Sequence, residues 1–543
     1  MLKRILVCAA FGCWCFLNTW VELAEGGGVH YARFAPLRSV IPSVLCLQAA
    51  VTASALAVWQ LSRRYRTCAA AAGWLLPVAC FPAFGIGAVA ALRALPIDAS
   101  TYLRSRLFLP SAVIVCLAAG TAYCLRPKLG GRVLGVLFLY SWPVLALTIA
   151  QAWNVSLRIP EAEFHDRPTA AAITGPDPSI RVVWILFDEL SEEIAFERRP
   201  KSLCLPHLDR LRAESFFATS AASPSTQTET SLPALTIGAD VKAVEHRGVS
   251  DLRLWIEGRQ EPADWSTVPN VFDDARRLHL NTALVGWFHP YGRVLARSLT
   301  RCFWTAAWQL TGAEEPTEPR TLWESIRDRA LLHSAVLPLL GHLPGAHPDA
   351  YHRAAKIERY QYLERHARES AADPSIGLLL IHLPTPHSPG IYDRAKRQYT
   401  ATTPSDYFDG VALADRTLGA LREAMERAGV WEKTAVLVSS DHGWRIHLRR
   451  GGSNWSAEEE EAAAAGATGG SPFLLKLPAR SEMVRYSAHF DTVITRELIG
   501  RILTGELRDP ARIAATIEAA SRNIDLTRPE LSSSNRPDRH TSP

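Results

Sequence analysis

The segment Val182-Val183-Trp184-Ile185-Leu186-Phe187 is an unbroken apolar run that stops on Asp188. A second run, Val436-Leu437-Val438-Ser439, stops on Ser440, Asp441, His442 and Gly443. A strand with apolar side chains on both faces must be buried on both, and sheets built from such strands are mostly parallel, with helices above and below. Ligands in these sheets gather outside the carboxyl ends of the strands. The two runs therefore carry carboxylate and imidazole groups to one sheet edge, and this restricts the soluble part of the chain to an α/β architecture with a site there.

The surrounding pattern agrees. Strands are expected at Val182–Phe187, Thr282–Val285, Ile376–Leu383, Thr434–Ser439 and Pro472–Leu477. Helices are expected at Leu205–Ser215, Val268–Arg277, Tyr351–Ser370, Tyr407–Ala428 and Phe490–Leu503. Such alternation predicts a mostly parallel central sheet covered by helices on both faces. The acidic, alanine-rich run Glu458–Ala465 reads as a solvated helix or a mobile loop.

The 543 residues exceed one ordinary domain, and apolar residues (48% overall) are concentrated before residue 153. Ile5–Trp20, Val40–Leu61, Cys68–Leu92, Leu107–Leu125 and Val133–Trp153 are each about as long as the ~20 residues that cross a bilayer. Ile5–Trp20, behind Lys3 and Arg4, also fits a signal peptide. A signal peptide on a soluble protein would not be followed by four similar stretches, so we read it as the first of about five transmembrane helices. Basic clusters at Lys3 and Arg4, at Arg63, Arg64 and Arg66, and at Arg126, Lys128 and Arg132 fall on one side of such a bundle. They assign that side to the cytoplasm and the C-terminal domain to the exterior; four crossings would reverse this. The resulting organisation is a transmembrane domain at 1–153, a proline-containing linker at 154–180, a catalytic domain at 181–520 and a disordered tail at 521–543. The net charge of +5 is small for this length and, without a basic stripe interleaved with aromatics, does not suggest a nucleic-acid binder. Cys204 and Cys302 alone lie in the soluble part, and they are either a disulfide or two thiols.

Within the domain, Asp188 at a strand end is a candidate metal ligand, or else a helix N-cap. Glu189 beside it points elsewhere if the pleat continues. Asp441 and His442 offer carboxylate oxygen and imidazole nitrogen, a set suited to zinc or manganese. Thr228 lies in the hydroxyl-rich stretch Ser223–Ser231. A hydroxyl nucleophile there needs a metal to lower its pKa and gains from a helix N-terminus. His387, held by Pro384, Pro386 and Pro389, is a candidate for phosphoryl oxygens or a second metal. His289 and His447 are candidates for oxyanion contact, His382 reads as a satisfied core histidine, and His207 as structural.

These segments resemble the alkaline phosphatase superfamily in its sulfatase-like branch, over Arg181 to about Glu506. Leu205-Pro206-His207-Leu208-Asp209-Arg210-Leu211 is similar to the segment after the first metal ligand, and Asp415-Arg416-Thr417-Leu418-Gly419 to the helix before the Asp-His-Gly strand. Sulfatases carry a Cys or Ser in a Cys/Ser-x-Pro-x-Arg motif. Here Thr228 stands in that place without the Pro and Arg, and Thr228-x-x-Ser231-Leu232-Pro233 is similar to membrane-anchored phosphoethanolamine and phosphoglycerol transferases. The resemblance implies one divalent metal, zinc or manganese, bound by Asp188, Thr228, Asp441 and His442, with His387 assisting. It also implies a phospholipid donor, a glycan or lipid acceptor, a covalent Thr228 adduct, and a multi-pass protein of the bacterial inner (cytoplasmic) membrane with a periplasmic catalytic domain. The alternatives are a phosphodiesterase, phosphatase or sulfuric ester hydrolase on the same site, and a non-catalytic envelope scaffold.

Overall fold

The computed structural model describes residues 2–17, 20, 37–65, 121, 125–158, 168–247, 251–306, 322–323, 326, 350–452, 454–466, 470–479 and 482–525. The N-terminal part contains α1 (Leu2–Cys15), α2 (Leu37–Arg64), α3 (Pro127–Tyr140) and α4 (Trp142–Arg158). One of these, over Ile41–Leu61, is long and apolar enough to cross a membrane. The helices α1 and α2 approach closely at Gly12, where a Cβ would lie 2.7 Å from Thr52 Oγ1. The Trp142 indole donates to the Leu6 carbonyl at 3.0 Å. The expected fifth span is broken between α3 and α4, because Pro143 in the first turn of α4 cannot continue the preceding helix. The expected third span, Cys68–Leu92, and the fourth, Leu107–Leu125 apart from Thr121 and Leu125, lie outside the described residues.

The remainder is an α/β domain. In chain order it runs β1 (Arg181–Phe187), α5 (Pro206–Ala213), β2 (Phe216–Ala222), α6 (Thr228–Ile237), β3 (Val241–Arg247), β4 (Asp251–Ile256), β5 (Ala263–Asp264), α7 (Val271–Arg277), β6 (Asn281–Phe288), α8 (Tyr291–Val294), β7 (Arg301–Ala306), α9 (Ala350–Ala372) and β8 (Ile376–Leu383). It continues through β9 (Tyr392–Asp393), β10 (Gln398–Tyr399), α10 (Tyr407–Arg427), β11 (Thr434–Ser439), α11 (Ile446–Arg449), α12 (Ala457–Ala464), β12 (Ser471–Lys476), β13 (Val484–Tyr486), β14 (Phe490–Asp491), α13 (Thr495–Leu503) and α14 (Pro510–Asp525). The main sheet has the order β13-β2-β12-β11-β1-β8-β6-β7, with β14 also on β2. Strands β11, β1, β8, β6 and β7 pair in parallel, and β12 alone runs against its neighbours.

Strand β1 is buried at every position, as its composition requires. Val182, Trp184 and Leu186 enter one core with residues of α6, α7, α13 and α14. Val183, Ile185 and Phe187 enter the opposite core with residues of α5, α9 and α10. Each face therefore has its own helical layer, as expected.

Several expectations need correction. Strands β2 and β7 are absent from the sequence reading, because Phe-Phe-Ala-Thr-Ser-Ala-Ala and Arg-Cys-Phe-Trp-Thr-Ala lack a long apolar run. The expected helix Phe490–Leu503 begins only at Thr495, after β14 and a 3₁₀ turn. The acidic run is a helix capped by Ser456, yet it is not wholly solvated: Glu459 is buried and accepts from the Tyr407 backbone N–H at 3.1 Å. Helix α14 continues to Asp525, past the expected start of the tail; residues 526–543 lie outside the described residues. Cys204 and Cys302 are not joined in a disulfide.

Candidate metal centre

Strand β1 ends at Phe187, and the next residue, Asp188, still donates its backbone N–H to the Leu383 carbonyl of β8 at 3.0 Å. The ladder thus holds Asp188 at the sheet edge. Neighbouring β11 brings Asp441 and His442 to the same edge, two and three residues beyond Ser439. Opposite them, Thr228 is the first residue of α6, with Gln227 as its N-cap. The Thr228 hydroxyl lies 3.5 Å from Asp188 Oδ2 and 3.2 Å from His442 Nε2. That nitrogen is 3.4 Å from Asp188 Oδ1 and 3.5 Å from Asp441 Oδ2. All four side chains are buried.

The donor set fits a divalent cation. Asp188 Oδ1 and Asp441 Oδ2 are buried without a hydrogen-bond partner. Burial, then the charges of Asp441 and Glu189, push the Asp188 carboxyl well above the usual carboxylate range. Two orphaned carboxylate oxygens against an imidazole nitrogen are costly to desolvate unless a cation lies between them. The imidazole is oriented for this, since His442 Nδ1 faces the Gly443 carbonyl at 3.0 Å and leaves Nε2 as the acceptor. Asp441 Oδ1 is fixed by the His442 backbone N–H at 2.9 Å. Asp188, Asp441 and His442 form one grouping that could hold an ion.

A second grouping, Asp188, Glu189 and His387, adjoins the first. The pleat does not continue at Glu189, whose φ of 69° is left-handed. Its carboxylate instead receives Arg445 at 2.5 Å and also Arg449. Burial alone would raise its pKa, but Arg449, His387 and Arg445 outweigh this and hold it below the usual range. The Tyr407 hydroxyl fixes this corner, donating to the Glu189 carbonyl at 2.8 Å and accepting from the Ser191 backbone at 2.9 Å. His387 sits at the partly exposed rim, its backbone N–H on the Asp188 carbonyl at 3.1 Å. Lys356 from α9 reaches the carbonyls of His387 and Pro389 behind it, and burial lowers its pKa to about 7. Neither the arginines nor Lys356 were apparent in the sequence, because they lie in ordinary polar stretches and converge only through the fold.

The remaining histidines divide. His289 is fully buried, with Nε2 3.3 Å from the Thr228 carbonyl and its ring edge-on to Trp265. Burial lowers its pKa to about 3, so a neutral imidazole stands against the backbone of the nucleophile candidate. His447 is exposed on the single-turn α11; its neighbours Arg445 and Arg449 are the side chains that turn inward. His382 is a core histidine as expected, but its Nε2 lies 3.9 Å from Asp441 Oδ2. His207 is structural. Its ring lies over Gly419, where a Cβ would approach within 2.5 Å, and the Leu208 N–H donates to Asp415 at 2.7 Å. The two outlying family-like segments therefore pack on each other.

The family model named Sulfatase matches residues 181–464. The chain belongs to the sulfatase family. It is therefore an enzyme of the alkaline phosphatase superfamily, whose sulfatase members use a divalent metal. Solved structures similar to this sulfatase-family chain include the phosphonate monoester hydrolase SpPMH from Silicibacter pomeroyi, at 14% identity and TM-score 0.41 over 60% of this chain and 73% of that one. The PsFucS1 sulfatase from Pseudoalteromonas sp. is 17% identical, with TM-score 0.40 over 61% and 68%. Ps i-CgsB, solved with k-i-k-neocarrahexaose, is 15% identical, with TM-score 0.42 over 61% and 72%. No curated protein sequence matches the chain.

Proposed function

We propose that the chain is a membrane-anchored, metal-dependent transferase. It moves a phospholipid-derived phosphoryl headgroup to an envelope glycan or lipid through a covalent Thr228 intermediate. The observation that carries this reading is the buried Thr228 hydroxyl at a helix N-terminus, within 3.5 Å of both Asp188 and His442. Asp188, Thr228, Asp441 and His442 would hold one zinc or manganese ion. Bound there, the ion supplies Lewis-acid stabilisation of the threonine oxygen and of charge on the phosphoryl group. The apolar helices before the domain, with basic clusters on one side, support a multi-pass inner-membrane protein whose catalytic domain is periplasmic and meets a lipid donor.

The chemistry divides into two displacements. Thr228 Oγ1 bonds to phosphorus as the phosphorus–oxygen bond to diacylglycerol breaks, and the threonine proton ends on the departing oxygen. His387, at the rim, carries that proton. The acceptor hydroxyl then attacks phosphorus, the bond to Thr228 breaks, and the acceptor's proton restores the threonine. Residues of α6 orient the nucleophile, and the partial positive charge of the α6 N-terminus favours the developing anion. Family membership favours a second reading, in which water takes the acceptor's place and the enzyme is a hydrolase.

A lipid with a labelled headgroup separates these. The full-length chain in detergent, with zinc or manganese and envelope extract as acceptor, should release diacylglycerol and leave the label on a glycan or lipid. Label recovered free in water supports the hydrolase. A metal-loaded chain that releases no diacylglycerol from any phospholipid would exclude the proposed donor.

A further inference from the structure

Each of the four ligand candidates is at most 4% exposed, so a substrate reaches them past side chains that keep contact with solvent. At the Glu189 corner these are His387, Arg445 and Arg449, the arginine side chains being 20% and 16% exposed. Tyr407 sets this corner. Its hydroxyl holds the Glu189 carbonyl, and its ring stacks on Trp444 at 4.3 Å. Trp444 directly follows Gly443, so the chain leaves the Asp-His-Gly turn pinned, with Arg445 against the buried Glu189 carboxylate. The Glu189 backbone N–H in turn faces Asp441 Oδ1 at 3.4 Å. One residue thus ties Arg445 to the metal centre.

Arg445 uses its Nε on Glu189 Oε1, and neither of its terminal nitrogens has a hydrogen-bond partner among the described residues. Arg449 takes the other oxygen, so one carboxylate faces two guanidinium groups and the corner keeps a positive charge. Burial works against the charge on Arg445, but Glu189, Asp188 and Asp441 outweigh it and raise its pKa. We propose that Arg445 is a further catalytic residue, whose two terminal nitrogens bind non-bridging oxygens of the substrate's phosphoryl group while Nε stays on Glu189. The inference rests on the phosphoryl-transfer reading of the site. A guanidinium presents parallel N–H groups that match two phosphoryl oxygens. Held by Glu189 before substrate arrives, it stabilises charge on those oxygens without reorganising.

Binding of inorganic phosphate to the zinc-loaded full-length chain in detergent, measured calorimetrically, tests it, with zinc content and diacylglycerol release followed in each variant. Arg445→Ala is expected to weaken phosphate binding about 10–100-fold, the range for hydrogen bonds to a charged group, with zinc content unchanged. Arg445→Lys keeps a charge for Glu189 but lacks the fork, and should recover only part of that loss. Arg449→Ala removes the other guanidinium and no phosphoryl contact, so it should cost less than either. Equal losses at Arg445 and Arg449 would mean that the charge of the corner alone attracts the anion. Phosphate binding unchanged at Arg445 would mean that the arginine serves Glu189 only. Either result overturns the proposal, as does a zinc-loaded wild type that binds no phosphate. If Arg445→Ala does not fold, Arg445→Lys against Arg449→Ala still decides. Phosphate binding that depends on Arg445, in a chain that releases no diacylglycerol, would keep this role and remove the phospholipid donor.

Discussion

Glu189 shows how one residue can look unremarkable in sequence and organise a site in three dimensions. Next to a candidate ligand, it occupies a left-handed backbone position and collects Arg445 and Arg449 from the segment after the Asp-His-Gly turn. Glu189→Gln removes the charge and leaves two guanidinium groups facing a neutral amide. We expect a stability loss of roughly 3 kcal/mol, the low end for breaking a buried pair because both arginines keep some solvent contact. Urea denaturation of the full chain checks this, and a variant as stable as wild type would show that the arginines are held by something else. At this scale the sequence was legible where strand pattern and ligand chemistry coincide, as at Asp188, Asp441 and His442. Thr228 was legible only by its hydroxyl-rich setting and family spacing. The arginine pair and Lys356 were not, since each links residues far apart in the chain. His447 follows the turn closely in sequence, yet helix α11 leaves it exposed while Arg445 and Arg449 turn inward.

At the scale of elements, α5 and α10 are joined at Asp415, which accepts the Leu208 N–H at the start of α5. Burial raises its pKa to about 7, against the lowering effect of the backbone hydrogen bonds from Leu208 and His207. The folded protein thus binds this proton more tightly than the unfolded chain, where an aspartate titrates near 3.9. Its contribution to stability is present below about pH 4, declines as pH rises towards 7, and is gone above that. Denaturation midpoints of wild type relative to Asp415→Asn should therefore fall from pH 4 to pH 7 and level off above. A constant difference across that range would mean the carboxyl is ionised throughout. Strands β1, β8 and β11 were readable because they are buried on both faces. Strands β2 and β7 were not, because their small or polar residues acquire strand character only from sheet partners.

For the whole molecule, the sequence separates an apolar N-terminal part from an α/β domain, and the structure gives the domain its two cores and, in its main sheet, one strand, β12, that runs against its neighbours. The sheet edge unites three segments distant in sequence, and this is what makes a nucleophile of Thr228 in our account. The most direct test is intact-mass analysis of the full-length chain after incubation with mixed bacterial phospholipids and zinc or manganese, beside Thr228→Ala. The account predicts a headgroup-phosphate mass that maps to Thr228 and is absent from the variant. An adduct on another residue, or lipid turnover undiminished in Thr228→Ala, would contradict it.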